Sequence, residues 1–134
     1  MHRTAQCQCG ALRAIAEGDP DVVNVCHCTA CQRRTGAVMH TGAYYKRPQV
    51  RFEGESKLYA RATDSGRKIR FHFCPNCGSS VYWEAELRPD HYGIAVGAFA
   101  DPQFPAPQLS VWEQTIHPWI VLPRGVERFR QGRK

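Results

Sequence analysis

Helical periodicity is what this 134-residue sequence has least of. Apolar residues hardly ever recur at three- and four-residue spacing, which excludes a helical bundle. No eighteen apolar residues follow one another, which excludes an ordinary membrane-spanning helix, and Met1 to Gly10 carry no apolar run behind a basic start. The expectation is therefore a cytoplasmic chain, neither exported nor inserted in a membrane. There is no internal repeat and no low-complexity tract. A GxGxxG turn and a phosphate-binding loop are also missing, so no nucleotide or dinucleotide cofactor is expected. At 43% hydrophobic content, the length suits one domain over residues 1–134.

What is present is strand-like alternation. In Ile69 to Phe73, the apolar Ile69, Phe71 and Phe73 alternate with Arg70 and His72, so one face meets the core and the other meets solvent or a site. Similar segments are Ala11 to Ala16, Val22 to Val25, Val38 to Tyr45, Lys57 to Ala62, Val81 to Glu84 and Tyr92 to Val96. About seven strands result, which predicts an all-β fold of folded antiparallel sheets. Thr29 to Thr35 predicts a short helical turn closed by Gly36 in a left-handed conformation. Pro102, Pro105 and Pro107 make Asp101 to Gln108 a surface connection, and the basic Arg128 to Lys134 reads as a frayed, solvated tail.

Seven cysteines stand in three clusters: Cys7 and Cys9 as CxC, Cys26, Cys28 and Cys31 as CHCxxC, and Cys74 and Cys77 as CPNCG. An odd count in a chain expected to stay in a reducing compartment argues against disulfides and for metal binding. A CxxC turn brings two thiolates to one side of a tight loop, Gly78 lets backbone amides approach them, and a CxC on a strand places its two sulfurs on one face. Seven sulfurs divide into a closed tetrahedral zinc site of four and an open site of three. Spacing permits two partitions. A ribbon-like arrangement joins Cys28 and Cys31 to Cys74 and Cys77, leaving Cys7, Cys9 and Cys26. The other keeps CHCxxC together and pairs the CxC with the distant CxxC, and it is preferred because three thiolates within six residues converge at little closure entropy. Two zinc ions and seven thiolates lower the formal charge from +6 to about +3. That disfavours a nucleic-acid binder and suits a small anionic substrate.

The segments CQCGALRA, CHCTACQRRTGAV, GRKIRFHFCPNCGSSVYWE and GAFADP, with His117 to Trp119 and Phe129 near the end, resemble the glutathione-dependent formaldehyde-activating enzyme (GFA) family, which shares its domain with centromere protein V. The likeness runs from Cys7 to about Phe129. It implies an Mss4-like all-β fold, a structural zinc on Cys7, Cys9, Cys74 and Cys77, and a catalytic zinc on Cys26, Cys28 and Cys31. It also implies a carbon-sulfur lyase or synthase joining glutathione, or a related thiol, to formaldehyde as S-hydroxymethylglutathione. The alternative is a non-catalytic zinc module that binds another macromolecule.

Three thiolates give a zinc site a net charge of about −1, so bound water is less acidified than on a three-histidine zinc, and a soft thiolate is the better fourth ligand. Adding a thiol to an aldehyde involves no redox change, so zinc is the one cofactor expected. Arg33 and Arg34, directly after the open site, are candidates for holding glutathione carboxylates. His27, between two ligands, is expected to point away from the metal and to hydrogen-bond or pack behind it. His40 and His72 are candidates for a fourth ligand or proton carrier, against the plainer reading as ordinary strand residues. Trp83, Trp112 and Trp119 are expected in the core or at its edge rather than as a substrate platform.

Overall fold

A computed structural model describes residues 1–133 of the chain. In chain order the strands are β1 (His2–Gln6), β2 (Arg13–Glu17), β3 (Val22–Cys26), β4 (His40–Lys46), β5 (Val50–Glu53), β6 (Lys57–Ala62), β7 (Lys68–Phe73), β8 (Ser80–Ala85), β9 (His91–Ala95), β10 (Leu109–Val111) and β11 (Glu127–Arg128). One short α-helix, α1 (Thr29–Thr35), joins β3 to β4. Strands β1, β2 and β5 form a three-stranded antiparallel sheet, and the other eight form a sheet ordered β11-β10-β3-β4-β9-β8-β7-β6. Pairing in the large sheet is antiparallel except at one end, where β10 runs parallel to both β11 and β3. The fold is thus the mostly β arrangement of antiparallel sheets that the alternation predicts, in keeping with the Mss4-like fold that the resemblance implies. No helix among the described residues is long and apolar enough to cross a membrane.

The small sheet packs on one face of the large one. Ala5, Ala14 and Ala16 are fully buried at this junction's core, where small side chains let backbones come close. Phe52 of β5 stacks on Tyr82 of β8 with ring centres 4.0 Å apart and meets Tyr92 of β9 edge-on at 4.8 Å. Such pairs contribute roughly 0.5–1.5 kcal/mol each beyond the area they bury.

The opposite face of the large sheet is built around Trp83 of β8. Its neighbours on the sheet floor are glycines: a Cβ at Gly93 would lie 2.1 Å from the indole Nε1, and one at Gly42 would lie 2.7 Å from Cζ2. The two glycines leave the space in which the indole lies across β9 and β4. Trp83 Nε1 donates to the Tyr44 hydroxyl at 3.3 Å, and the His40 ring meets the indole edge-on at 4.7 Å. Phe71, the cross-strand partner of Trp83, extends this aromatic shelf to β7.

Four strands lie outside the alternating segments. β1 has one buried residue, Ala5, and β5 alternates over only four positions. β10 has three positions, all buried, and β11 has two, so neither is long enough to show a period. β2 begins at Arg13 because Ala11 and Leu12 belong to the preceding turn, in which Cys7 N–H donates to Leu12 O at 2.9 Å. α1 spans the expected residues, and Gly36 ends it at φ 72°. The terminal segment is not a frayed tail within the described residues: Arg128 lies in β11, Phe129 N–H donates to Ser110 O at 2.8 Å, and Gln131 O accepts from Trp112 N–H at 3.1 Å. Lys134, the end of that expected tail, lies outside the described residues.

Gly93→Ala is expected to lower unfolding stability by about 1–3 kcal/mol, because a methyl group cannot share space with the indole. Chemical denaturation measures this. A variant as stable as the parent would show that Trp83 is free to move aside.

Candidate metal centre

The first sulfur cluster is made by two turns. After β1 the chain turns through Cys7 to Leu12, with Gly10 N–H donating to Cys7 O at 3.0 Å. Its two cysteines therefore sit in a turn, not on a strand as alternation would place them. Between β7 and β8, Cys74 to Ser79 form a second turn, closed by Cys74 N–H to Ser79 O at 3.0 Å and Gly78 N–H to Cys74 O at 2.8 Å. Gly78 adopts φ 80°, a conformation open to glycine at no steric cost. Gln8 N–H donates to Ser79 Oγ at 3.1 Å and ties the turns together.

The Sγ atoms of Cys7, Cys9, Cys74 and Cys77 all lie within 4.8 Å of one another. Cys9 Sγ is 3.6 Å from Cys7 Sγ and 3.7 Å from Cys74 Sγ. A disulfide would be close to 2.05 Å, whereas a tetrahedron on zinc–sulfur bonds of roughly 2.3 Å has edges of about 3.8 Å. The sulfurs are therefore spaced for a shared ion. Backbone amides already point at them: Leu12 N–H donates to Cys7 Sγ at 3.2 Å and Asn76 N–H to Cys74 Sγ at 3.4 Å. Ser79 beside Cys77 helps hold that thiol down to about 5.

The second cluster is Cys26, Cys28 and Cys31, again with all sulfurs within 4.8 Å. Cys26 ends β3 opposite His40 of β4. Cys28 caps α1, its Sγ accepting from Cys31 N–H at 3.3 Å. The thiols of Cys26 and then Cys31 hydrogen-bond to Cys28 and pull its pKa down to about 2, while the Cys26 thiol is raised by the same two neighbours. No histidine, aspartate or glutamate joins this set among the described residues. Both donor sets fit a soft divalent cation, and two cysteine-rich groups here could each hold a metal ion.

Behind the second cluster, the CHC segment is anchored by distant chain. His27 is fully buried and turned from the sulfurs, with Nε2 2.9 Å from Ser110 Oγ, and Ser110 in turn donates to Glu113. The His27 carbonyl accepts from Thr115 Oγ1 at 2.7 Å and from Gln32 Nε2 at 2.9 Å. His117 Nε2 lies 3.0 Å from Gln32 Oε1. Gln32, Ser110, Glu113 and Thr115 carry no local sequence signal, since their roles appear only when segments more than eighty residues apart meet.

The other candidate residues divide. His40 lies by the cluster but outside the set of converging donors; burial and then the nearby Arg34 push its pKa down to about 3, so it is neutral. His72 lies on the other face of β7, stacked on Tyr82 at 4.3 Å between Ser56 Oγ and Glu84 Oε2, and reaches neither cluster. Trp83 is buried, Trp112 is half-buried, and Trp119 is 69% exposed, contrary to the expectation of a core or core-edge role.

Arg33 is exposed, while Arg34 turns inward. The Arg34 guanidinium lies 4.2 Å from the ring centre of Phe71 and 5.8 Å from that of Trp83, and Nε, Nη1 and Nη2 are all buried without a hydrogen-bond partner. Each unmet buried donor costs about 1–3 kcal/mol, more than a cation–π contact of roughly 0.5–2 kcal/mol returns. Burial lowers its pKa, and the charge of Cys31 opposes that shift.

A cleft of about 640 Å³ is lined by Cys7 of the first cluster, by Gln8 and Ser79, and by Thr35, Met39 and His40; Cys26, Cys28 and Cys31 are not among its lining residues. A protein of folded antiparallel sheets carrying a four-sulfur and a three-sulfur cluster is the class thus defined. The chain belongs to the GFA family, whose model, described as glutathione-dependent formaldehyde-activating enzyme, matches residues 2–115. The His117 to Trp119 and Phe129 part of the resemblance lies beyond that match. The crystal structure of a Rhodobacter sphaeroides protein has the same fold, at 21% identity and a TM-score of 0.58, covering 94% of this chain and 98% of that one. No curated protein matches the chain.

Cys77→Ser removes one of four converging sulfurs from the cluster that ties the two turns together. A structural zinc contributes roughly 10–16 kcal/mol of apparent binding energy, comparable with the whole stability of a domain at about 5–15 kcal/mol. The variant is expected to misfold or become insoluble, as read from soluble yield and circular dichroism. A soluble variant with parental stability and metal content would overturn the assignment.

Proposed function

We propose that the chain acts as a single zinc-dependent unit joining glutathione, or a related small thiol, to formaldehyde as S-hydroxymethylglutathione. Cys7, Cys9, Cys74 and Cys77 hold a structural zinc, and Cys26, Cys28 and Cys31 hold a second. The observation that carries this reading is the incomplete donor set: three sulfurs converge with no fourth protein ligand among the described residues. Family membership supports glutathione-dependent formaldehyde activation at the level of the family.

Zinc at the three-sulfur site supplies Lewis acidity that keeps an incoming thiol deprotonated near neutral pH. The sulfur lone pair forms a bond to the aldehyde carbon, the carbonyl π pair moves to oxygen, and that oxygen takes up one proton in place of the one the thiol lost. Protons and electrons balance without a redox partner. The chain's own part is placement: Cys28 at the start of α1 and Cys26 at the end of β3 fix the donors. The bonds from Thr115 and Gln32 to the His27 carbonyl hold the segment between them.

Cys28→Ser tests this directly. The variant keeps all four sulfurs of the other cluster, so it is expected to stay folded with a melting temperature close to the parent's. Its zinc content should fall from two to one per chain, and hydroxymethyl adduct formation, followed by nuclear magnetic resonance with the uncatalysed rate subtracted, should fall to background. Unfolding as severe as that of Cys77→Ser would make CHCxxC a structural cluster and favour a non-catalytic zinc module.

A further inference from the structure

We propose that Arg34 is a buried counter-cation of the Cys26, Cys28 and Cys31 cluster, a positioning residue that makes the site accept a negatively charged fourth ligand. This rests on the reading that the cluster holds a metal ion.

Arg34 stands three residues after Cys31 on α1, so the two side chains lie on one face of the helix. The whole guanidinium is sealed from solvent over Phe71 and Trp83, with no hydrogen-bond partner. A group so enclosed does not reach a carboxylate of a substrate lying in the cleft. The ionisable groups that act on it are Cys31 and Cys28 on its own segment and Arg61 of β6, which lies 5.8 Å from the Phe71 ring; no carboxylate is among them. His40 of β4, its other ionisable neighbour, brings no negative charge in either of its protonation states. The sulfurs are thus the anions available to this cation. Three thiolates and a divalent metal leave one net negative charge, which Arg34 cancels. Without that cancellation a fourth anion would meet a site already negative; with it, a thiolate enters a site near neutrality. The role differs from direct capture of a substrate carboxylate, for which exposed Arg33 remains sterically available.

The test compares the parent with Arg34→Met, which keeps the packing over the rings, and Arg34→Lys, which keeps the charge. Cobalt-loaded proteins are titrated with 2-mercaptoethanol, which binds as an anion, and with imidazole, which binds as a neutral ligand. Arg34→Met is expected to weaken thiolate binding by at least about ten-fold while changing imidazole binding less than about two-fold, with Arg34→Lys near the parent. A chelator competition should also strip the second zinc from Arg34→Met more readily than from the parent, with the first zinc unaffected. Should Arg34→Met fail to fold, Arg34→Gln takes its place. Equal loss of both ligands, or Arg34→Lys behaving like Arg34→Met, would overturn the proposal and leave Arg34 as a packing residue. A parent that binds no thiol would count against the thiol chemistry, and the chelator competition would still decide the role of Arg34.

Discussion

Sulfur atoms held within 4.8 Å of one another, twice over, are the arrangement on which the remaining structure depends. Thiolates at that separation repel, and thiols there waste their weak hydrogen bonds, so a shared cation would make the convergence favourable. The first convergence welds the β1–β2 turn of the small sheet to the β7–β8 turn of the large one. The three-stranded sheet is otherwise held by apolar contacts such as Phe52 on Tyr82.

The second convergence is of a different kind. Cys26, Cys28 and Cys31 are supplied by one short stretch, so they need little from distant chain to meet. What distant chain supplies is their orientation: β10 beside β3, Ser110 under His27, and Thr115 on the His27 carbonyl. On the other side stands the Trp83 shelf with Arg34 upon it. Burial of a guanidinium against two aromatic rings is a costly arrangement that the sulfur charge offsets. One cluster bridges turns of the two sheets, and the other is half-buried with three donors and no fourth among the described residues.

The alternation of Ile69 to Phe73 and the punctuation around the cysteines made the central strands and α1 legible, because both signals are local. The grouping of Cys7 and Cys9 with Cys74 and Cys77 was left open by spacing alone, since two partitions satisfy it, and the convergence of the side chains distinguishes them. β10 and β11 were illegible because two or three residues show no period and their pairing is to remote strands. The fate of Arg34 was equally hidden: adjacent arginines in RRTG look alike, and only the shelf formed by Phe71 and Trp83 turns one inward. Trp119 shows the converse, a large apolar residue that stays mostly exposed with the His117 ring edge-on to it.

The central claim is that the two clusters hold two zinc ions in unequal environments. X-ray absorption at the zinc edge, combined with metal analysis of the purified protein, tests it most directly. The account predicts two zinc ions per chain and an average shell of three to four sulfurs, with a light-atom ligand contributed by the three-sulfur site that a thiol replaces by sulfur. One zinc per chain, or a shell that excess thiol leaves unchanged, would contradict it.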